Sequence, residues 1–220
     1  MSNFTTWRSL VDGVGISAIP DSEVGQNTIA FYNFTDDDDT NVLEDQVGDF
    51  DATISGMNYV QDSDAGRIVG DFDGTDDSAT GMGIPSLSEF SIGLVVKPRS
   101  VDDRGNALSL RDNNEFDIRY EDGDWQIGGP FDPITLSGSA TTDTWQSVVC
   151  LWDGSEVTLS VDDDFEDSTS ESSMQTDGED DAIAESGRGG DRVDGRIAHV
   201  EISDQYEGDE FKENYHALLD

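Results

Sequence analysis

An all-β chain folded as a two-sheet antiparallel β-sandwich is what the sequence predicts, on three observations. From Thr28 onward, short runs alternating apolar and polar residues recur roughly every eight to twelve residues. Gly, Asp, Asn and Ser separate these runs, the residues that tight turns call for. Hydrophobic residues make up 34 % of the chain and 23 glycines accompany them, so a packed core is attainable although 28 % of residues are charged. A length of 220 residues suits one sandwich with an arm.

The elements follow in order. Residues 1–26 match no strand of the sandwich; Phe4, Trp7, Leu10 and Val11 fall on one face of a short helix, and Pro20 and Asp21 follow. This segment is expected to be an arm for anchoring or oligomerisation, ahead of a single domain at residues 27–220. Strands are predicted at Thr28–Phe34, Phe90–Lys97, Glu115–Tyr120, Trp145–Leu151, Val157–Val161 and Arg196–Ile202. The acidic stretch Asp162–Glu185 is expected to be a long solvated hairpin or loop, where carboxylates cost least. A short C-terminal helix closes the chain, with Asp209 as its cap and Phe211, Tyr215 and Leu218 at helical spacing.

Fifty acidic residues against eleven basic give a net charge of -39, spread along the whole length. Such a surface repels itself, and at about 1 M salt the Debye length of roughly 3 Å screens the repulsion. Lys97 and Lys212 are the two lysines, and this scarcity beside abundant Asp resembles proteins of extreme halophiles. Nucleic acid is excluded as a partner because a phosphate backbone requires a basic footprint. Cys150, the single cysteine, is expected to fill core space. No apolar run approaches the about 20 residues of a membrane span, and the opening residues lack the basic start and apolar stretch of a secretion signal.

Six segments in order resemble laminin-G-like domains of the concanavalin A superfamily. IAFYNF at 29–34 resembles the opening strand, DQVGDFDATISG at 45–56 the turn and following strand, and Phe72-Asp73-Gly74 the family's hairpin. FSIGLVVKP at 90–98, TWQSVVCLWDGSEVTLSVDD at 144–163 and the closing GRIAHVEISDQYEGDEFKENYHALL complete the set. The resemblance implies a concanavalin A-like jelly roll that binds glycans or proteins and often holds a structural calcium. Two departures stand out: Ala198 occupies a position where the family often has a carboxylate, and Gly70 replaces a usual large apolar residue.

Candidate chemistry is sparse. Related glucanases carry Glu-x-Asp-x-Glu on one strand, whereas Glu115-Phe116-Asp117-Ile118-Arg119 ends in an always-charged Arg. An exposed edge on which the acid and the arginine pair is expected there, with no catalytic residue. Trp125 and Tyr120 are the candidates for stacking on a sugar, and Trp152 is expected near a turn against the core. Asp36 and Asp73 are the candidate ligands for Ca2+, a hard cation that takes oxygen donors. His199 and His216 lack a His partner at ligand spacing and are expected to be structural.

These features point to a non-enzymatic structural or adhesion protein: a virion-surface protein of a halophile's virus, of capsid decoration, turret or fibre type, displaying a lectin-like domain. Its expected partners are copies of itself and other capsid proteins through the arm, and a host glycan through the sandwich. A cell-surface carbohydrate-binding module of a halophile is the alternative, and a glycoside hydrolase stands third.

Overall fold

The computed structural model describes residues 27–34, 41–110, 116–129, 133–171, 176, 180–186 and 190–219. The arm residues Phe4, Trp7, Leu10 and Val11, together with Asp36 and Glu115, lie outside the described residues.

Strands, numbered in chain order, form two antiparallel sheets. The first runs β14 (Phe165–Ser170), β13 (Glu156–Val161), β12 (Gln146–Trp152), β7 (Phe90–Pro98), β16 (Asp194–Ser203), β5 (Arg67–Asp73) and β4 (Asn58–Asp62), with β1 (Thr28–Tyr32) also on β16. The second runs β11 (Ile134–Leu136), β10 (Asp124–Gly128), β9 (Phe116–Glu121), β8 (Gly105–Leu110), β15 (Ala182–Ile183), β6 (Ser78–Thr80), β3 (Ala52–Ser55) and β2 (Val42–Leu43). Along β16, β7 takes one edge, while β5 and β1 share the other end to end, opposite Asp194–Ile197 and Val200–Ser203.

Between the sheets the alternating apolar residues meet. Phe72, Phe90, Ile92, Leu94, Cys150 and Trp152 from the first sheet face Leu108, Phe116, Ile118, Trp125 and Ile127 from the second, in one buried cluster. The first sheet is covered on its other face too. The C-terminal helix α1 (Gly208–His216) and the 3-10 turn Ala217–Leu219 lay Phe211, Tyr215 and Leu218 over Phe31, Val69, Val95 and Val149. Burial of three such side chains contributes roughly 1.5–3 kcal/mol each. Two covered faces explain why β12, QSVVCLW, is buried at every position.

Several expectations are refined. Asp209 does not cap α1; Glu207 is the capping position, with no side-chain cap bond, and Asp209 sits in the first turn, where the helix dipole favours a carboxylate. The acidic stretch Asp162–Glu185 is not all loop: β14 extends the first sheet, and β15 is inserted between β8 and β6 in the second. Ala198 lies at a bulge in β16 and joins Phe31, Val69 and Val95 under α1, surroundings in which an unpaired carboxylate would be costly. Gly70 is explained by Phe34: a Cβ on Gly70 would stand 2.6 Å from Phe34 Cδ1, so the phenyl ring fills the place of the usual larger side chain.

Candidate functional site

Strands β8, β9 and β10 turn Leu108, Phe116, Ile118, Tyr120, Trp125 and Ile127 toward the first sheet, so the residues between them face outward. On that outer face two rows cross the sheet. Gly128, Asp117, Ser109, Ala182 and Thr80 are successive Cα partners in one, and Thr135, Gln126, Arg119 and Asn106 in the other.

Asp117 is the hub of this face and is buried. Arg119 Nη1 donates to its Oδ1 at 2.6 Å, and Arg104 Nη2 donates to its Oδ2 at 3.3 Å. Arg119 is held further by Gln126, whose Oε1 accepts from Nε at 3.2 Å. Gly128 is required beneath this pair, because a Cβ there would fall 2.6 Å from Asp117 Oδ1 and would strike the Arg119 guanidinium. Nearby, Arg192 donates to Glu185 Oε1 at 3.1 Å and to the Thr75 carbonyl at 3.2 Å. Below the arginines, both polar atoms of the Asn106 side chain and the Ser109 hydroxyl are buried with no hydrogen-bond partner. A buried amide left unmatched costs about 1–3 kcal/mol, and such groups call for bound water or ligand.

The predicted stacking aromatics are not on this face. Trp125 is 0 % and Tyr120 1 % exposed, packed edge to face with ring centroids 5.4 Å apart. Trp125 Nε1 donates to Gln146 Oε1, and the Tyr120 hydroxyl accepts from the Asp194 amide. Neither offers a face to a sugar, because both share the inward set with Phe116, Ile118 and Ile127. The acid and arginine of β9 do pair as expected, but β9 lies inside the sheet, between β8 and β10, and is no edge. Trp152 packs on Phe90 against the core. Sequence reasoning missed Arg104, Asn106, Ser109 and Gln126; the outward phase of the alternation that holds Asp117 and Arg119 was the available signal for Gln126.

Asp73 stands in the turn between β5 and β6 with Asp76 and Asp77, one oxygen of each lying within 4.8 Å of the others. Asp73 Oδ1 accepts from the Thr75 amide at 2.7 Å, and Asp77 Oδ2 accepts from the Asp73 amide at 2.8 Å. Burial, outweighing the Asp73 amide, and the charges of Asp73, Asp76 and Asp71 push the Asp77 carboxyl up. Oxygen-only donors suit Ca2+, but three carboxylates supply only part of the six to eight oxygens it takes.

Under α1, His216 Nδ1 lies 2.6 Å from Ser147 Oγ and Nε2 3.0 Å from Ser160 Oγ. All three residues are buried, so these hydroxyls pin the helix and do not meet a substrate. His199 is likewise enclosed, 2.6 Å from Arg67 Nη1 and stacked on Phe31. Both histidines are structural. A separate cleft of about 360 Å³ opens between α1 and the β13–β14 edge, lined by Thr158, Glu166, Ser168, Tyr206 and Lys212 among others.

The sequence profile of the concanavalin A-like lectin/glucanases superfamily matches residues 72–206. The chain belongs to this superfamily. Its sandwich superposes on domain 4 of an extracellular arabinanase from Geobacillus stearothermophilus, in complex with arabinotriose, with a TM-score of 0.67 at 15 % identity, covering 88 % of this chain and 98 % of that one. Trypanosoma rangeli sialidase in complex with the inhibitor DANA gives 0.64 at 12 % identity, covering 87 % of this chain but only 32 % of the sialidase. A carbohydrate-binding module of the Ruminococcus gnavus IT-sialidase, bound to α2,3-sialyllactose, gives 0.50 at 11 % identity, covering 65 % of this chain and 98 % of the module. At such identities the superpositions show the shared fold alone. No curated protein matches the chain in sequence.

Proposed function

We propose that this superfamily member is a non-catalytic glycan-binding protein that uses the outer face of its second sheet. The observation that carries this is the Arg104–Asp117–Arg119–Gln126 network lying over the unmatched amide of Asn106 and hydroxyl of Ser109. The guanidiniums of Arg104 and Arg119, which reach solvent, and the half-buried Gln126 amide are what a sugar's hydroxyls pair with, while Asn106 and Ser109 lie buried. Two similarly folded domains are seen with arabinotriose and α2,3-sialyllactose. Binding is favoured over hydrolysis because guanidiniums engage both oxygens of Asp117, and Arg119 stands where a second carboxyl would be needed. A panel of oligosaccharides titrated by calorimetry in molar KCl tests the assignment. Binding that is lost in Arg104→Ala and Gln126→Ala supports it, whereas binding untouched by both places the glycan elsewhere.

At the level of the whole protein we propose display on a virion of a halophile's virus, with residues 1–26 as the anchoring arm. The acidic composition and the apolar stripe Phe4, Trp7, Leu10 and Val11 support this. Deleting residues 1–26 should leave a folded monomer that no longer assembles. A deleted form that assembles normally, or fails to fold, assigns the arm to its own domain. The alternative, a cell-surface carbohydrate-binding module, draws support from the match to 98 % of the arabinanase domain.

A further inference from the structure

We infer that the glycan taken by this face is an acidic one, whose carboxylate docks on the Arg104 and Arg119 guanidiniums; the inference rests on the glycan-binding assignment above. A guanidinium carries five N–H donors. Arg119 uses its Nη1 on Asp117 and its Nε on Gln126, and Arg104 uses Nη2 on Asp117, with its Nε 3.5 Å from Asp191 Oδ2. Most of the ten donors therefore have no acceptor among the described residues, and the two cations share one buried carboxylate. The acceptors at hand are already claimed, since each Asp117 oxygen holds an arginine and Gln126 Oε1 holds Arg119 Nε.

This donor surplus runs against the rest of the molecule. A chain with 50 acidic and 11 basic residues presents acceptors and negative charge over its surface, and that surface serves a neutral sugar through its hydroxyl donors or a cation. The net charge repels an anion, and Arg104 and Arg119 bring two cations onto one carboxylate. Both side chains reach solvent, Arg104 at 28 % and Arg119 at 13 % exposure, while Asp117 beneath them does not, at 1 %. Gly128, Ser109 and Ala182, in the same row as Asp117, add no further carboxylate there. The planar fork of a guanidinium matches a carboxylate with two parallel hydrogen bonds, a pairing that a single hydroxyl does not offer.

The test uses the full chain in molar KCl, titrated calorimetrically with an oligogalacturonate, with 3'-sialyllactose, with their uncharged counterparts and with a sulfated galactose oligomer. A carboxylated probe should bind at least about tenfold more tightly than its neutral counterpart, and Arg104→Gln should remove that preference while circular dichroism stays unchanged. Arg104→Lys keeps the charge without the fork and should lose most of the preference as well. Arg119→Gln is the second arm; should it unfold the sheet, Arg104, more exposed, still decides the matter. Equal binding of acidic and neutral probes overturns the inference and leaves the glycan-binding assignment standing. Equal binding of sulfated and carboxylated probes overturns the carboxylate assignment. Binding of no probe at all overturns both.

Discussion

At the scale of single residues, two buried imidazoles tie stability to pH. Burial, reinforced by the charge of Arg67, holds His199 well below the ordinary imidazole value, and burial also lowers His216, against the opposing pull of Asp163 and Asp162. In the folded chain both stay neutral at a pH where the unfolded chain, with imidazoles near about 6.5, takes up protons. Their contribution is thus complete above about pH 6.5 and is lost as pH falls below it, with a slope approaching about 1.4 kcal/mol per pH unit for each ring. Urea melts between pH 7.5 and 5.5 in molar KCl should show this decline, and His216→Gln should flatten part of it; a flat native profile would contradict the assignment. Gly70 offers a second test. Gly70→Val drives its new methyl groups into Phe34 and Met57 and should cost about 1–3 kcal/mol, and pairing it with Phe34→Ala should recover part of that loss.

Among the elements, the turn that carries the chain from β5 to β6 and the C-terminal helix behave oppositely. The turn concentrates like charge: burial, with the charges of Asp73, Asp76 and Asp71, pushes the Asp77 carboxyl up. A carboxyl raised on folding costs stability at neutral pH, so Asp77→Asn should raise the melting temperature in calcium-free buffer. Addition of Ca2+ should then stabilise the native chain more than the variant. No calcium response in either would remove the β5–β6 turn as a cation site. The helix gathers apolar contacts instead. Phe211, Tyr215 and Leu218 close the outer face of the first sheet, and the Tyr215 hydroxyl donates to the Gly93 carbonyl at 2.9 Å. Gly93 has to be glycine there, since a Cβ would run into the Tyr215 ring.

Over the whole molecule, acidic residues far outnumber basic ones. Several described cations are drawn into pairs: Lys97 with Asp62 and Asp64, Arg99 with Asp71 and Asp194, Arg196 with Asp62 and Asp71, Lys212 with Glu166 and Asp209. With 11 basic residues against 50 acidic ones, most carboxylates are left to counterions. Lowering the salt lengthens the Debye length from roughly 3 Å at 1 M to 30 Å at 0.01 M and lets those charges repel across the sandwich. Far-ultraviolet circular dichroism should therefore lose its β signal in millimolar salt and regain it in molar KCl. A signal unchanged in dilute buffer would contradict the halophilic assignment.

The sandwich, its order of strands and its closing helix were legible in the sequence because alternation and turn residues are local properties, and a period of two survives without knowledge of the partner strand. Local pattern also showed that Asp117 and Arg119 share a face and would pair. It did not show that β9 is interior, nor that Arg104, thirteen residues earlier, comes to the same carboxylate and Asn106 lies opposite Arg119, because cross-strand register is a property of the assembled sheet. Trp125 and Tyr120 were misjudged as sugar platforms for a related reason: an aromatic suits a core as well as a binding face, and only packing against Gln146 and Phe116's side of the sheet decides between them. The acidic stretch carried β14 and β15 unseen, since pairing with β13 and β8 supplies the order that its own composition does not. The sequence by itself therefore determined the fold class and the net charge, both sums of local or compositional terms; the tertiary structure alone decided where donors outnumber acceptors, because that depends on which distant side chains are brought within hydrogen-bond reach.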